Sequence, residues 1–547
     1  MLLSRLQNAF RQVHPLDWLF LILAALLAAN TLSYPFGRDQ GLYHYVGREW
    51  FLGALPYQDT MDQKTPIIYL VFGIANLLFG EHMWSVRLVE LLWVLTIGWL
   101  LGVGSAPRGE LPAAGMRGLG SFFVCILYFG ILGYWDTAQC EIWYTGFCFL
   151  SLVAVERSAR PRLGPLSAGF WGGLACLTKP PAVFVVLAVV FALATRELGR
   201  GERGELDALP ARIKRAVLAL AIFGAGAAIP TLITVLYFWA RGGLADFYDV
   251  VVLCNTYYRG HESPAVEFTT PFASLRQWCA FTYPLSLFAQ LSIVGGLVVA
   301  LRQRSLALAR RYTIALLFPL GGFAAVVLQG LYFPYHYSVL HVGWALALVF
   351  ATQDLARHGP SLLAKPRPAF WFSAASAFVF TIGWTTAASP FGFNLSSDFF
   401  RHVGVSLAYN RGDIDEAAFD RSWDIPGFYD WSENRAVGKW LNEHSQPEDL
   451  VASRNFEPAI YAIAHRSSDL RFFWTAWLTM SKRAYHRELW LAQDAQQIKE
   501  HPPRFVVVFL HVHSGPDSIE YFQPYGTWVE RMRGARLAVY ERTGDVL

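Results

Sequence analysis

The chain has 547 residues, of which 54% are hydrophobic, 16% aromatic and 16% charged, and its formal net charge is +4. Soluble domains average about 25% charged residues, so this composition excludes a disordered chain, a collagen-like chain and a disulfide-stapled mini-protein. A charge of +4 spread over such a length makes no phosphate-binding patch, which argues against nucleic acid as a partner.

Charge divides the chain. Residues 1–389 hold 48 charged residues, 28 basic against 20 acidic; residues 390–547 hold 38, 17 basic against 21 acidic. The second stretch matches soluble-protein composition and the first falls far below it. The expected architecture is an α-helical polytopic membrane domain, 1–389, followed by a soluble extracytoplasmic α/β domain, 390–547.

A bilayer-spanning helix needs about 20 mostly apolar residues. Candidates run 16–34, 86–103, 118–135, 141–156, 165–178, 181–195, 216–240, 279–301, 312–331, 337–353 and 369–388, eleven in all. The first resembles a signal sequence, but the many later spans make it an uncleaved anchor. The run Pro66–Phe79 is too short to span comfortably and is expected to lie at the outer interface. Spans 165–178 and 181–195 meet at Lys179-Pro180-Pro181, where the proline pair breaks the helix. With a cytoplasmic N-terminus, 20 of the 28 basic residues of the front domain fall on inner segments. This asymmetry orients the chain with its N-terminus inside and, for an odd number of spans, its C-terminal domain outside.

The tail reads as α/β. Ala436–Glu443 and Pro458–Ala464 are helical in pattern. Leu450–Ser453, Phe505–Leu510 and Arg536–Glu541 read as strands. Six cysteines are scattered without a CxxC; Cys254 and Cys279 flank one predicted outer loop and are candidates for a disulfide.

The stretch that speaks to chemistry is the first outer loop. It contains Gly37-Arg38-Asp39-Gln40, then Tyr43, then Gly53-Ala54-Leu55-Pro56-Tyr57-Gln58-Asp59. Asp62-Gln63-Lys64-Thr65-Pro66, Phe79-Gly80 and Arg87 follow. Alone, Asp39 reads as a helix cap or a solvated loop charge. Together these residues resemble the GT-C class of membrane glycosyltransferases. They are most similar to the group containing the protein O-mannosyltransferases and the aminoarabinose transferases that modify lipid A. The shared pattern is an acid after the first span, a Tyr four positions on, a Gly…Pro-Tyr…Asp stretch, a Lys-Pro-Pro-type helix start, a Phe-Gly and an Arg. The match covers about residues 36–90, and topology extends the likeness to about residue 390. Gln40 stands where members often have a second acid, and Thr65 where they have a first proline.

The resemblance implies a donor in which a monosaccharide is linked to a polyprenyl phosphate, an acceptor on a glycolipid, glycan or protein, and no cofactor. Transfer breaks a C1–O bond and leaves a lipid phosphate. An inverting route needs one carboxylate to take the acceptor proton, and Asp39 is the candidate base. Cations must meet the developing phosphate charge; the candidates are Lys64, Lys179, Arg259 and His336, with Tyr337 beside the last. No metal is required where side-chain cations do this. Asp136 and Glu141 resemble the second acidic site of the class, which shapes the acceptor pocket, and Tyr43 and Asp59 are assigned with them. Two other functions fit a polytopic chain. A flippase of lipid-linked sugars would need an ionisable relay inside the spans, whereas the acids here fall mostly in loops and at helix ends. A non-catalytic scaffold would not concentrate these residues in one loop.

The orientation is directly testable with reporter fusions. Alkaline phosphatase fused after residue 395 is expected to be active and fused after residue 205 inactive; the reverse pattern would place Asp39 in the cytoplasm.

Overall fold

The computed structural model describes residues 13–106, 110–199, 209–262, 269–363, 397–480 and 485–544. It is helical apart from one four-stranded sheet near the C-terminus. Among the described residues, seven helices are long and apolar enough to cross a membrane: Pro15–Ser33, Met83–Gly104, Pro180–Gly199, Leu209–Ala240, Leu285–Gln303, Leu306–Gln329 and Pro334–Arg357. Three more candidates coincide with the shorter helices Met116–Tyr128, Cys140–Arg157 and Leu163–Thr178. The candidate at 369–388 lies outside the described residues.

Two boundaries differ from the sequence reading. The run 118–135 stays helical only to Tyr128, and Gly130 and Gly133 follow in turn geometry, since glycine favours turns over helix. The run 279–301 starts inside one helix, Thr269–Phe281, and continues in another, Leu285–Gln303, because Pro284 interrupts the backbone ladder. All six cysteines are thiols.

The chain divides into two compact units. The first comprises Met1–Thr31, Glu90–Ile233 and Ala265–Phe400. It is an apolar helical bundle whose helices approach closely at small residues. A Cβ on Gly169 would lie 2.0 Å from the Phe223 carbonyl oxygen, and one on Gly173 would lie 2.1 Å from that of Ala227. Only glycine permits this crossing, the usual device where water supplies no driving force between helices. Ionisable groups gather at the two ends of the bundle. The helix Cys140–Arg157 carries Glu141 at one end and Glu156 at the other, separated by about 22 Å at 1.5 Å per residue. At the Glu156 end, Arg310 pairs with Glu156 at 2.5 Å and Arg311 with Asp354 at 2.9 Å. Arg357 pairs with Glu110 at 2.5 Å, and Arg157 donates to the Ala106 carbonyl at 3.2 Å. These four arginines are among those the sequence assigns to the inner side.

The second unit comprises Leu32–Val89, Thr234–Pro264 and Arg401–Leu547. The first outer loop and the chain tail, some 400 residues apart in sequence, therefore share one compact body. Its sheet has strands β1 (Val451–Arg454), β2 (Phe505–Phe509), β3 (Thr527–Arg533) and β4 (Leu537–Gly544), in the order β1-β2-β4-β3. β1 runs parallel to β2, and the other pairings are antiparallel. The parallel pair requires a crossover, to which the helix Arg487–Glu500 belongs. Ala452, Leu470, Ile498, Val506, Val508 and Phe522 form the core beneath the sheet. β3, which the sequence reading omits, is a charged and mostly exposed edge strand, so it lacks the apolar run by which a strand is recognised.

The helix Arg38–Leu52 lies between the helices Pro66–Phe79 and Ala459–Ala464. A Cβ on Gly41 would meet Ala459 N at 2.6 Å, and one on Gly47 would meet the Tyr69 carbonyl oxygen at 2.5 Å. Tyr45 stacks on Phe473 with centroids 4.2 Å apart and accepts a hydrogen bond from Ser468 N at 3.0 Å. Gly41→Ala is expected to lower thermal stability by about 1–3 kcal/mol through overpacking. The control Gly104→Ala, where a Cβ meets nothing within 4 Å, should be neutral or slightly stabilising. Melting of the detergent-solubilised chain distinguishes the two.

Candidate active site

The site residues named by the sequence fall into two groups, one in each unit. Asp39, Tyr43, Asp59 and Lys64 belong to the second unit, as does Arg259, which lies in the helix Asn255–Glu262 with its side chain outside the described ones. Asp136, Glu141, Lys179, His336 and Tyr337 belong to the first.

Asp39 is half-buried in the first turn of the Arg38–Leu52 helix. It does not cap that helix. The cap is made by the fully buried Gln40, whose Oε1 accepts from Gly37 N at 3.0 Å. Gln40 thus closes the helix end as a neutral acceptor three residues beyond the cap. Among the described residues, no hydrogen bond or ion pair engages the Asp39 carboxylate. Its neighbour Arg38 does have partners: Nη2 donates to the Phe428 carbonyl at 2.8 Å and to Glu457 Oε1 at 2.9 Å. The loop that leads to Asp39 is also held. Arg87, fully buried, donates to the Pro35 carbonyl at 2.9 Å, and Tyr429 OH donates to the Phe36 carbonyl at 2.8 Å.

Tyr43, one helical turn beyond Asp39, is buried edge-on against Phe72, with the Tyr69 ring 6.3 Å away, centroid to centroid. Tyr69 reaches the turn that carries Lys64. Its OH donates to Asp62 Oδ2 at 2.6 Å and to the Lys64 carbonyl at 3.2 Å, and Tyr57 OH donates to the same carbonyl at 2.8 Å. Lys64 is thus fixed at its backbone while its side chain stays half-buried. Thr65 and Pro66 start the next helix, with Pro66 at a first-turn position where its missing N–H costs nothing. Asp59 is exposed and accepts from Leu55 N at 2.6 Å, which closes the turn around Tyr57. Tyr57 has φ 74°, a left-handed conformation rare for a bulky residue. The motif residues Gly53, Tyr57 and Asp59 are therefore explained by turn geometry.

In the first unit the structure joins residues that the sequence reading kept apart. Lys179 Nζ donates to Glu141 Oε1 at 2.5 Å, with His336 Nε2 3.9 Å from the same oxygen and the Tyr335 ring 5.7 Å from Nζ. Glu141 is fully buried, and its Oε2 has no hydrogen-bond partner among the described residues. Lys179, proposed from sequence for a phosphate, already faces a carboxylate, and Glu141 does not serve as a helix cap. Tyr337 hydrogen-bonds Ser274 and stacks on Trp278 at 5.0 Å. Asp136 is half-buried in the turn before the Cys140–Arg157 helix.

Sequence reasoning missed Asp62, Tyr69 and Glu457. Asp62 stands in the loop just before the Pro66–Phe79 helix and Tyr69 in its first turns, so their nearness in sequence could have drawn attention. Glu457 carried no signal, because its partner Arg38 is 419 residues away. Burial pushes the Glu457 carboxyl up, opposed by the Arg38 guanidinium and the Asn434 amide. Burial also pushes His44, on the Asp39 helix, down to about 3, so this ring is neutral. Among the described residues, no three His, Cys, Asp or Glu side chains gather as ligands for a metal ion.

No protein-family model matches the chain, and no curated protein matches its sequence. Solved structures match its fold. The crystal structure of ArnT from Cupriavidus metallidurans bound to undecaprenyl phosphate aligns with a TM-score of 0.55 at 13% identity, covering 95% of this chain and 97% of that one. The apo-state structure of ArnT aligns with a TM-score of 0.54 at 14% identity over the same shares. The fold is that of the GT-C class. The likeness to ArnT is one of fold.

The Glu141–Lys179 pair makes a measurable claim. Lys179→Met leaves a buried carboxylate without its cation and is expected to lower stability by about 3–5 kcal/mol. Lys179→Met/Glu141→Gln removes both charges and should recover most of that loss. Equal melting temperatures for the single and double variants would show that the pair is not coupled.

Proposed function

We propose that this chain is an inner-membrane glycosyltransferase that moves a monosaccharide from a polyprenyl-phosphate donor to an acceptor on the outer face. The observation that carries the reading is the ArnT-like fold, which extends over 95% of the chain and therefore includes both the apolar bundle and the C-terminal part. The ArnT structure holds undecaprenyl phosphate, and a polyprenyl phosphate is the leaving group this reading requires. In this proposal the N-terminus is cytoplasmic, residues 1–389 form the membrane catalytic domain, and residues 390–547 form an extracytoplasmic domain.

The reaction is an inverting displacement. The acceptor hydroxyl gives its proton to the Asp39 carboxylate as its oxygen attacks C1. The C1–O bond to the phosphate breaks, and the polyprenyl phosphate departs with the electron pair. A phosphate acceptor, already ionised, would attack without a base. Asp39 is suited to the base role because its carboxylate is half-buried yet unengaged among the described residues, so its lone pairs face no internal competitor. Lys64 is assigned to the leaving phosphate, with Lys179, His336, Tyr337 and Arg259 as further phosphate contacts. Positioned cations in a partly dehydrated site stabilise charge that develops only in the transition state. Tyr43, Asp59, Asp136 and Glu141 are assigned to the acceptor side, where Asp59 and Glu141 act through the turn and the ion pair they maintain.

Mass spectrometry of envelope glycolipids and glycoproteins, with and without the gene, identifies the transferred sugar and its acceptor. With that product as the readout, Asp39→Asn is expected to slow turnover roughly 10²–10⁴-fold while leaving the melting temperature unchanged, since the cap belongs to Gln40. Near-normal turnover would assign the proton to another group. Loss of the folded protein would make Asp39 a structural residue.

A further inference from the structure

The helix that presents Asp39 is held along its length by the C-terminal part of the same unit. Gly41 touches Ala459, Tyr45 stacks on Phe473, and both Arg48 and Glu49 hydrogen-bond Ser467 Oγ, at 2.9 and 2.8 Å. The contact nearest Asp39 is ionic. Arg38, the preceding residue, lies 4.9 Å from the Phe428 ring and reaches the Phe428 carbonyl and Glu457 Oε1. Glu457 is itself fixed. It is 2% exposed; its Oε2 accepts from Asn434 Nδ2 at 3.1 Å, and its backbone N donates to Asn455 Oδ1 at 2.8 Å. Both carboxylate oxygens and the backbone N–H of Glu457 are thus engaged, on the segment between β1 and the Ala459–Ala464 helix.

We propose that Glu457 is a positioning residue for Asp39, acting through Arg38. This inference rests on the reading of Asp39 as the base and gives the C-terminal part a role in that reaction. The physical problem is that a base must stay unpaired, yet Asp39 has a guanidinium on the adjacent residue. Arginine is long, forked and permanently charged. If untied, Arg38 is free to fold back on the neighbouring carboxylate, occupy its lone pairs and depress its proton affinity. Glu457 draws that guanidinium to the C-terminal segment, and the tie also anchors the first turn of the helix. A base supplied by the membrane part is thereby kept available by an acid on the C-terminal part.

Other charges on the elements packed against this helix are already spoken for or lie further along it. Asp62 and Lys64 precede the Pro66–Phe79 helix. Glu81 is shared by Arg48 at 2.8 Å and His465 at 3.7 Å, and Arg48 also pairs with Glu49. Arg536, which acts on Glu457, is tied to Asp430 at 2.7 Å.

The test is the titration of Asp39 in the full detergent-solubilised chain, read by difference infrared spectroscopy as the carboxyl band that Asp39→Asn removes. Glu457→Gln keeps a hydrogen-bond acceptor but releases the Arg38 charge. An opposite charge lowers a carboxyl pKa, so the midpoint should move about one unit or more to lower pH. Arg38→Gln/Glu457→Gln removes both charges, avoids a buried unpaired ion and should return the midpoint to near its original value. Turnover, read as the envelope product, should fall at least tenfold in Glu457→Gln and recover partly in the double variant. A midpoint unmoved in Glu457→Gln, or displaced equally in the double variant, overturns the proposal. Failure here is separable from failure of the base assignment: a dead Asp39→Asn with an unmoved midpoint in Glu457→Gln rejects only Glu457, whereas normal product from Asp39→Asn rejects Asp39 as base whatever the titration shows.

Discussion

The carboxylate proposed here as the base must be held in place while its own oxygens stay available. The first turn of the Arg38–Leu52 helix meets this constraint by assigning every other task to a neighbour. Gln40 closes the helix end, Arg38 anchors to Phe428 and Glu457, and Arg87 and Tyr429 hold the carbonyls of Pro35 and Phe36. Asp39 is left half-buried and unengaged among the described residues. Gln40 is the instructive case. An acid at that position could also close the cap, but it would place a second negative charge beside Asp39. The neutral amide caps without adding that charge.

The same division of labour recurs in the Lys64 turn. Two tyrosines, Tyr57 and Tyr69, converge on the Lys64 carbonyl, and Asp62 fixes Tyr69. The backbone of this turn is thus secured by neutral hydroxyls. The Glu141–Lys179 pair in the apolar bundle follows a different logic. A carboxylate with no exposure needs a cation, because the desolvation of a lone charge is far costlier than that of a pair. Lys179 is the cation that the local chain turn, set by Pro180 and Pro181, brings to it.

Much of the helical architecture was legible because its cause is local. A helix in a bilayer must be apolar for most of its length, and that requirement is written residue by residue; ten of the eleven candidate runs coincide with helices. Boundaries slipped where a single residue outweighs composition, as at Pro284 and at the glycines after Tyr128. In the tail, β2 was plain because both its faces are buried and its sequence is uniformly apolar. β3 was invisible because an exposed, charged edge strand looks like a loop.

For the site, the sequence by itself determined which residue types stand in the first outer loop and in what spacing, and hence the resemblance that singled out Asp39 and Lys64. Those positions are close in sequence, and short-range spacing on helices and turns fixes their relative placement. Only the tertiary structure decided who partners whom. It gave the cap to Gln40 rather than Asp39, paired Lys179 with Glu141, and brought Glu457 to Arg38 across 419 residues. The reason is physical: helical periodicity and capping act over a few residues, whereas the partner of a buried charge is chosen by whichever segment the packed chain delivers to it, and no local pattern in the sequence records that choice.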